Sequence, residues 1–237
     1  MVKIAKKRKD IISKFDREKN YSLDEAIDIL KNSSTAKFKE TVEIAINLSL
    51  NVSKSDQSIK GVVNLPNGTG KNIRVAVVAK DENAKKAKDS GADIVGDKTL
   101  IQSIEKGEIN FDRLIATPDM MVMVGKLGQI LGPKGLMPNP KLGTVTNDVQ
   151  KAVDDAKKGQ IQFKNDKSGI VHAAVGEINF DKNKLIENIK VLFDAILKNK
   201  PDSIKGSFIK KVSIASTMGL GIKLNVADLH KSWIPKN

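Results

Sequence analysis

"IRVAVVA" (Ile73–Ala79) runs through one lysine into "DENAKKAKDSG" (Asp81–Gly91). The first piece is a near-continuous β-branched run, the composition of a strand buried on both faces. The second reads as a short polar helix closed by glycine. The alternation continues. "ADIVG" reads as a strand, "DKTLIQSIEKG" as a helix capped by Asp97 and ended at Gly107, "FDRLIATPDM" as a strand stopped by Pro118, and "NDVQKAVDDAKKG" as a helix ended by Gly159. Strand and helix in turn imply a parallel sheet with helical crossovers, so residues 68–159 read as a small Rossmann-like α/β domain.

The flanks follow another rule. "TVEIAINLSL" (Thr41–Leu50) puts Val42, Ile44, Ile46, Leu48 and Leu50 on one face and mostly polar residues on the other, the pattern of a half-buried antiparallel strand. "GIVHAAVG" and "FIKKVSIAST" look like its partners. "DKNKLIENIKVLFDAILKNKP" spaces Leu185, Ile189, Leu192, Phe193, Ile196 and Leu197 as a helix, with Pro201 as the stop. These segments lie on both sides of the middle. The expected fold is therefore mixed α/β and α+β: a discontinuous α+β domain of residues 1–67 and 160–237, with an antiparallel sheet and helices, carrying the α/β domain of 68–159 as an insertion.

Composition narrows the partners. The chain has 237 residues, a formal net charge of +13 and a pI near 9.7, which favours a polyanion such as nucleic acid. Residues 68–159 carry 15 Lys/Arg against 12 Asp/Glu, and the flanks 26 against 16. The split domain is therefore the expected place of the main contact. No apolar run is long enough to span a membrane, and "MVKIAKKRKDIISKF" lacks the apolar core of a signal peptide, so a cytoplasmic address is expected. Cysteine is absent, which excludes disulfides, thiol catalysis and cysteine zinc sites.

The oddest stretch is "GQILGPKGLMPNPKLGTV" (Gly128–Val145), which can be neither helix nor strand throughout. It is no Walker loop: Pro133 falls where the second glycine belongs. "GTGKN" fails too, with Asn72 in place of the hydroxyl that would hold magnesium. His172 reads as a strand residue with a hydrogen-bond partner and His230 as part of a polar tail, and neither lies in a metalloprotease motif. No enzyme, metal or cofactor is expected. The lysines of the Gly/Pro stretch and its surroundings, Lys126, Lys134 and Lys141, are candidate secondary RNA contacts.

"STAKFKETVE", "SDQSIKGVVNLP", "TPDMMVMVGKLGQILGPKGLMPNPKLGTVT", "KNDKSGIVHAAVG" and "STMG" stand in one order along the chain. In this the sequence resembles the L-one family of large ribosomal subunit proteins, over nearly its whole length to about residue 222. The resemblance implies a two-domain protein with the second domain inserted, without catalytic activity and monomeric when free. It implies binding to the 23S rRNA stalk in the large ribosomal subunit, help in releasing deacylated tRNA from the exit site, and repression of the messenger of its own operon. It carries over as rRNA-binding positions Lys37, Phe38, Lys39, Glu40 and Thr41, then Asp166, Lys167 and Ser168, then Ser216, Thr217, Met218 and Gly219. RNA is read through shape, stacking and 2′-hydroxyls, which suits these residue types. Relatives often show "LPHG" where this chain has "LPNG", and arginine where it has Lys60, Lys134 and Lys164, a change that keeps charge and loses the bidentate fork. The alternative class is a non-ribosomal cytoplasmic RNA-binding regulator or assembly factor.

Two chain crossings would join the domains, at "LPNG" (Leu65–Gly68) and "KKGQ" (Lys157–Gln160). Glycine accepts large dihedral changes cheaply, so Asn67, Gly68 and Gly159 are the expected hinge.

Overall fold

The computed structural model describes residues 16, 18–52, 57–204 and 206–233. The basic opening segment and the last four residues of the tail, both assigned above to the split domain, lie outside these. In chain order the first elements are α1 (Leu23–Ser33), β1 (Thr41–Leu48) and β2 (Lys60–Asn64). Next come β3 (Val75–Val78), α2 (Asp81–Asp89), β4 (Ile94–Gly96), α3 (Lys98–Glu105), β5 (Arg113–Ala116), α4 (Met121–Val124), α5 (Gly128–Leu131) and α6 (Val149–Lys157). The last are β6 (Gln160–Lys164), β7 (Ile170–Glu177), α7 (Lys182–Lys198), β8 (Ile209–Ser216), β9 (Ile222–Leu224) and α8 (Val226–Trp233). They pack as two compact units, residues 1–70 with 161–237, and residues 71–160.

The first unit is organised by β1. Its alternate residues Val42, Ile44, Ile46 and Leu48 are buried, so one face of the strand belongs to the core. β7 and β8 pair with it antiparallel on either side, and β9 joins β8, giving the order β7-β1-β8-β9. β2 and β6 form a separate two-stranded sheet. Helix α7 buries Leu185, Ile189, Leu192, Phe193 and Ile196 in the core that the sheet also lines. Each such side chain contributes roughly 1.5–3 kcal/mol relative to exposure. Helix α1 packs on the same core and starts at a capping box, in which the Ser22 hydroxyl accepts the Glu25 N–H and the Glu25 carboxylate accepts the Ser22 N–H.

The second unit is a three-stranded parallel sheet in the order β4-β3-β5. All four residues of β3 are buried, because helices cover both faces: α3 packs on the side of Ala76 and Val78, and α2 with α6 on the side of Val75 and Val77. Asp97 caps α3 through the Thr99 N–H, and Gly91, Gly107 and Gly159 follow helix ends with positive φ, as their sequence positions require.

The Gly/Pro stretch is more helical than its composition implies. Short turns run in succession from Pro118 through α4, Gly125–Leu127 and α5, and the open loop begins only at Gly132. Periodicity explains this: Met120, Val124, Leu127 and Leu131 recur at helical spacing, and all are buried in the core beneath α3. Lys126, Lys134 and Lys141 stay exposed. The tail after Lys223, which carried no assignment from the sequence, is also ordered into β9 and α8, with Leu229 buried in the first unit's core.

Candidate nucleic-acid interface

The loop before β1 and the loop after β8 meet because Val42 stands opposite Ser216 in the sheet. Between them sits Glu40, only 1% exposed. One carboxylate oxygen accepts the Ser34 hydroxyl at 2.6 Å, and the other accepts the Ser216 hydroxyl at 2.6 Å and the Met218 N–H at 3.0 Å. Burial alone would raise the Glu40 carboxyl pKa, but donation from Ser216, Ser34 and the N–H groups of Met218 and Ala36 holds it below its ordinary value of 4.5.

Thr217 completes the join. Its hydroxyl accepts the Thr41 N–H at 3.0 Å, and its own N–H donates to the Thr41 carbonyl at 3.1 Å. Gly219 lies so close behind that a Cβ there would stand 2.4 Å from the Ser216 hydroxyl oxygen, which already donates to Glu40. The network therefore points inward and fixes both loops, while Phe38 at 55% and Met218 at 66% exposure stand outside it. Lys37 and Lys39 are exposed beside them, Lys39 making only a long 4.0 Å ion pair with Glu177.

The third carried-over segment lies elsewhere. Asp166, Lys167 and Ser168 form the turn between β6 and β7, next to Ile170, which pairs with Asn47. That is the far end of β1, roughly 20 Å from Thr41 at strand rise per residue. Asp166 shapes the turn by accepting the N–H groups of Ser168 and Ile170, both at 2.8 Å. The Ile170 N–H is the main cause that holds its carboxyl below the ordinary value. Lys167 and Ser168 are left exposed at the tip.

Between these two ends runs the outer face of the sheet, which motif reading missed. Its rows cross the strands as Ala174, Glu43, Ala215; then His172, Ala45, Ser213, Lys223; then Ile170, Asn47, Lys211. Glu43, His172 and Lys211 are exposed and the others half-buried. His172 Nε2 lies 3.7 Å from an Asp166 carboxylate oxygen. The signal was available, since these are the positions alternating with the apolar ones of β1, β7 and β8. Its middle is lined by small side chains, Ala45, Ala174, Ala215 and Ser213, a floor on which another backbone can lie close.

The expected hinge residues have other employment. The Asn67 N–H donates to the Asn188 side-chain oxygen at 3.1 Å, and its side-chain amide to Glu187 at 2.8 Å and the Lys184 carbonyl at 3.3 Å. Gly68 accepts the Asn188 amide at 2.9 Å. Gly159 is buried and ends α6, and Gln160 after it is gripped by the Arg113 guanidinium at 2.7 and 2.8 Å. Lys126, Lys134 and Lys141 belong to the second unit and form no part of the sheet face.

Comparison with known proteins gives one answer. Residues 30–220 match the model of the ribosomal protein L1p/L10e family. The large ribosomal subunit protein uL1 of Ruthia magnifica subsp. Calyptogena magnifica is 50% identical over 229 residues, covering 97% of this chain and 99% of the relative. The protein of the same name from Pseudoalteromonas atlantica is 51% identical over 229 residues, covering 97% and 98%.

Proposed function

The chain belongs to the ribosomal protein L1p/L10e family, and on that premise we propose that it is a structural, non-catalytic constituent of the large ribosomal subunit that binds 23S rRNA through its first unit. The observation that carries this reading is the placement of Phe38 and Met218. Among the described residues only three large apolar side chains are conspicuously exposed, and two of them share one end of the basic sheet. Isolated exposed apolar residues need no explanation, but a pair held out by a buried carboxylate network is a built feature. Phe38 and Met218 can cover a ribose or a base, the small-residue floor admits the sugar edge, and Lys37, Lys39, Lys167 and Lys211 neutralise phosphates.

The assignment of roles changes accordingly. Glu40 and Ser216, both buried, act as positioning residues, as does the exposed Thr217 through the bond of its hydroxyl to the Thr41 N–H, and Lys37, Phe38, Lys39, Lys167, Ser168 and Met218 make the contact. The RNA spans both ends of β1. The RNA is the stalk beside the tRNA exit site in this reading, where the protein assists release of deacylated tRNA and, through a similar RNA structure, represses the messenger of its own operon. Described helices include none long and apolar enough to cross a membrane, and the proposed location is the ribosome in the cytoplasm. The split domain is the rRNA-binding domain and the insertion a secondary contact through Lys126, Lys134 and Lys141. Bending at the first crossing falls after Gly70, since Asn67 and Gly68 are tied to α7.

Phe38→Ala and Met218→Ala are each expected to weaken rRNA affinity by about 1–3 kcal/mol while leaving thermal stability unchanged, since both side chains are exposed. Filter binding at fixed salt beside a melting curve checks this. Full affinity in both variants would remove the site. Lys167→Gln is expected to reduce the slope of log affinity against log salt by about 1, which a binding series at several salt concentrations reads. As to class, the protein is expected to stay with the large subunit through a moderate-salt wash, and release into the supernatant would favour a non-ribosomal regulator.

A further inference from the structure

The second unit holds a cavity of about 580 Å³ where β3 and β4 end and α3 begins. Its lining includes Lys80, Lys88 and Lys98, together with Gly96, Asp97 and Thr99. Three lysines thus line one concavity, against one carboxylate among the described lining residues. One oxygen of that carboxylate caps α3 by accepting the Thr99 N–H. Among the described residues the ammonium groups of these three lysines have no ion pair or hydrogen bond, whereas that of nearby Lys157 reaches both Asp93 and the Gly91 carbonyl.

Three lysines without ion-pair partners around one concavity make it a favourable place for an anion. The place fits a ligand as well as the charge does. In open α/β sheets ligands settle outside the carboxyl ends of the strands, and the volume lies within the range of small-molecule pockets, roughly 300–1,000 Å³. The remaining described walls are small aliphatic side chains, and no aromatic ring to stack a base stands among the described lining residues. Recognition is therefore of the anion itself.

We propose that this cavity binds a phosphate ester, held by Lys80, Lys88 and Lys98. The site is separate from the sheet face of the first unit and does not depend on how that face is used. Phosphate at this site could come from an RNA backbone or from a free phosphorylated compound.

Amide NMR of the full chain separates the possibilities. Inorganic pyrophosphate, titrated at constant ionic strength, is expected to shift the amides of Gly96, Asp97, Lys98 and Thr99 saturably. Lys88→Gln and Lys98→Gln, both exposed substitutions, are each expected to weaken that binding about tenfold, with the rest of the spectrum unchanged. A large-subunit rRNA stem that moves the same amides identifies a backbone phosphate as the occupant. A response to pyrophosphate alone identifies a free ester. The site does not exist if neither ligand gives a saturable shift, if chloride matches the response, or if the double glutamine variant binds as tightly as the parent.

Discussion

Glu40→Ala is expected to weaken rRNA binding by about 3 kcal/mol, roughly a hundredfold, although in the proposed complex Glu40 itself touches no RNA. The substitution leaves the Ser34 and Ser216 hydroxyls and the N–H groups of Ala36 and Met218 without the acceptor they share. Hydrogen bonds to a charged acceptor contribute about 1.5–3 kcal/mol each, and part of the loss is recovered when water enters. The loops carrying Phe38 and Met218 then separate. Glu40→Gln should fall between, because its amide turns a donor toward a donor already present. The carboxyl sits below its ordinary value of 4.5 in the fold, so its contribution to stability is fully present above that value and is lost as pH falls through the folded one. The alanine variant should therefore show a shallower loss of stability on acidification than the parent. Binding and melting curves across that range check both statements; an alanine variant with parental affinity would show that the network positions nothing.

Asn188→Leu is expected to destabilise the first unit by about 3 kcal/mol or more, enough to lower the melting temperature by roughly 10 °C in a domain of this size. Asn188 is fully buried. Its amide donates to the carbonyls of Gly68 at 2.9 Å and Val175 at 2.8 Å, and its oxygen accepts the Asn67 N–H at 3.1 Å. Leucine fits the space and satisfies none of the three. The same substitution frees the crossing from α7, so hydrogen exchange at Asn67 should accelerate more than exchange in β1. A variant as stable as the parent would mean that the crossing is held by other contacts.

Asn188 also shows where sequence reading stopped. It falls among Leu185, Ile189 and Leu192 on the apolar stripe of α7, and an amide on such a stripe is a visible signal of a buried polar partner. Which partner was not visible, because Asn67 lies 121 residues away. The strands and helices with strong local pattern were legible: the alternation in β1, the buried run of β3, and the cap at Asp97 each follow from a few neighbouring residues. β2 was not. "KGVVN" is short, and its pairing with β6 joins segments about a hundred residues apart in sequence. α1 carried its signal in full, an amphipathic stripe behind a Ser-Leu-Asp-Glu capping box, and was overlooked.

The candidate site divides the same way. Resemblance supplied the positions, and the exposure of Phe38 and Met218, both apolar, is a finding of the fold. The burial of Glu40 and the tie of the Thr217 hydroxyl to the Thr41 N–H could not be read, because they exist only once the register of β1 against β8 has been set. Neither could the separation of Asp166–Ser168 from the other segments, which the antiparallel course of β7 imposes.

In the proposed complex rRNA lies on the outer face of the four-stranded sheet. The chain contains no cysteine, so a single Ala45→Cys in the middle of that face can carry a photo-crosslinker, with Lys190→Cys for comparison, on the exposed side of the helix α7 that packs in the core beneath the sheet. The expected result is efficient crosslinking of large-subunit rRNA from position 45 and only background from position 190. Efficient crosslinking from position 190 with none from position 45 would place the rRNA elsewhere.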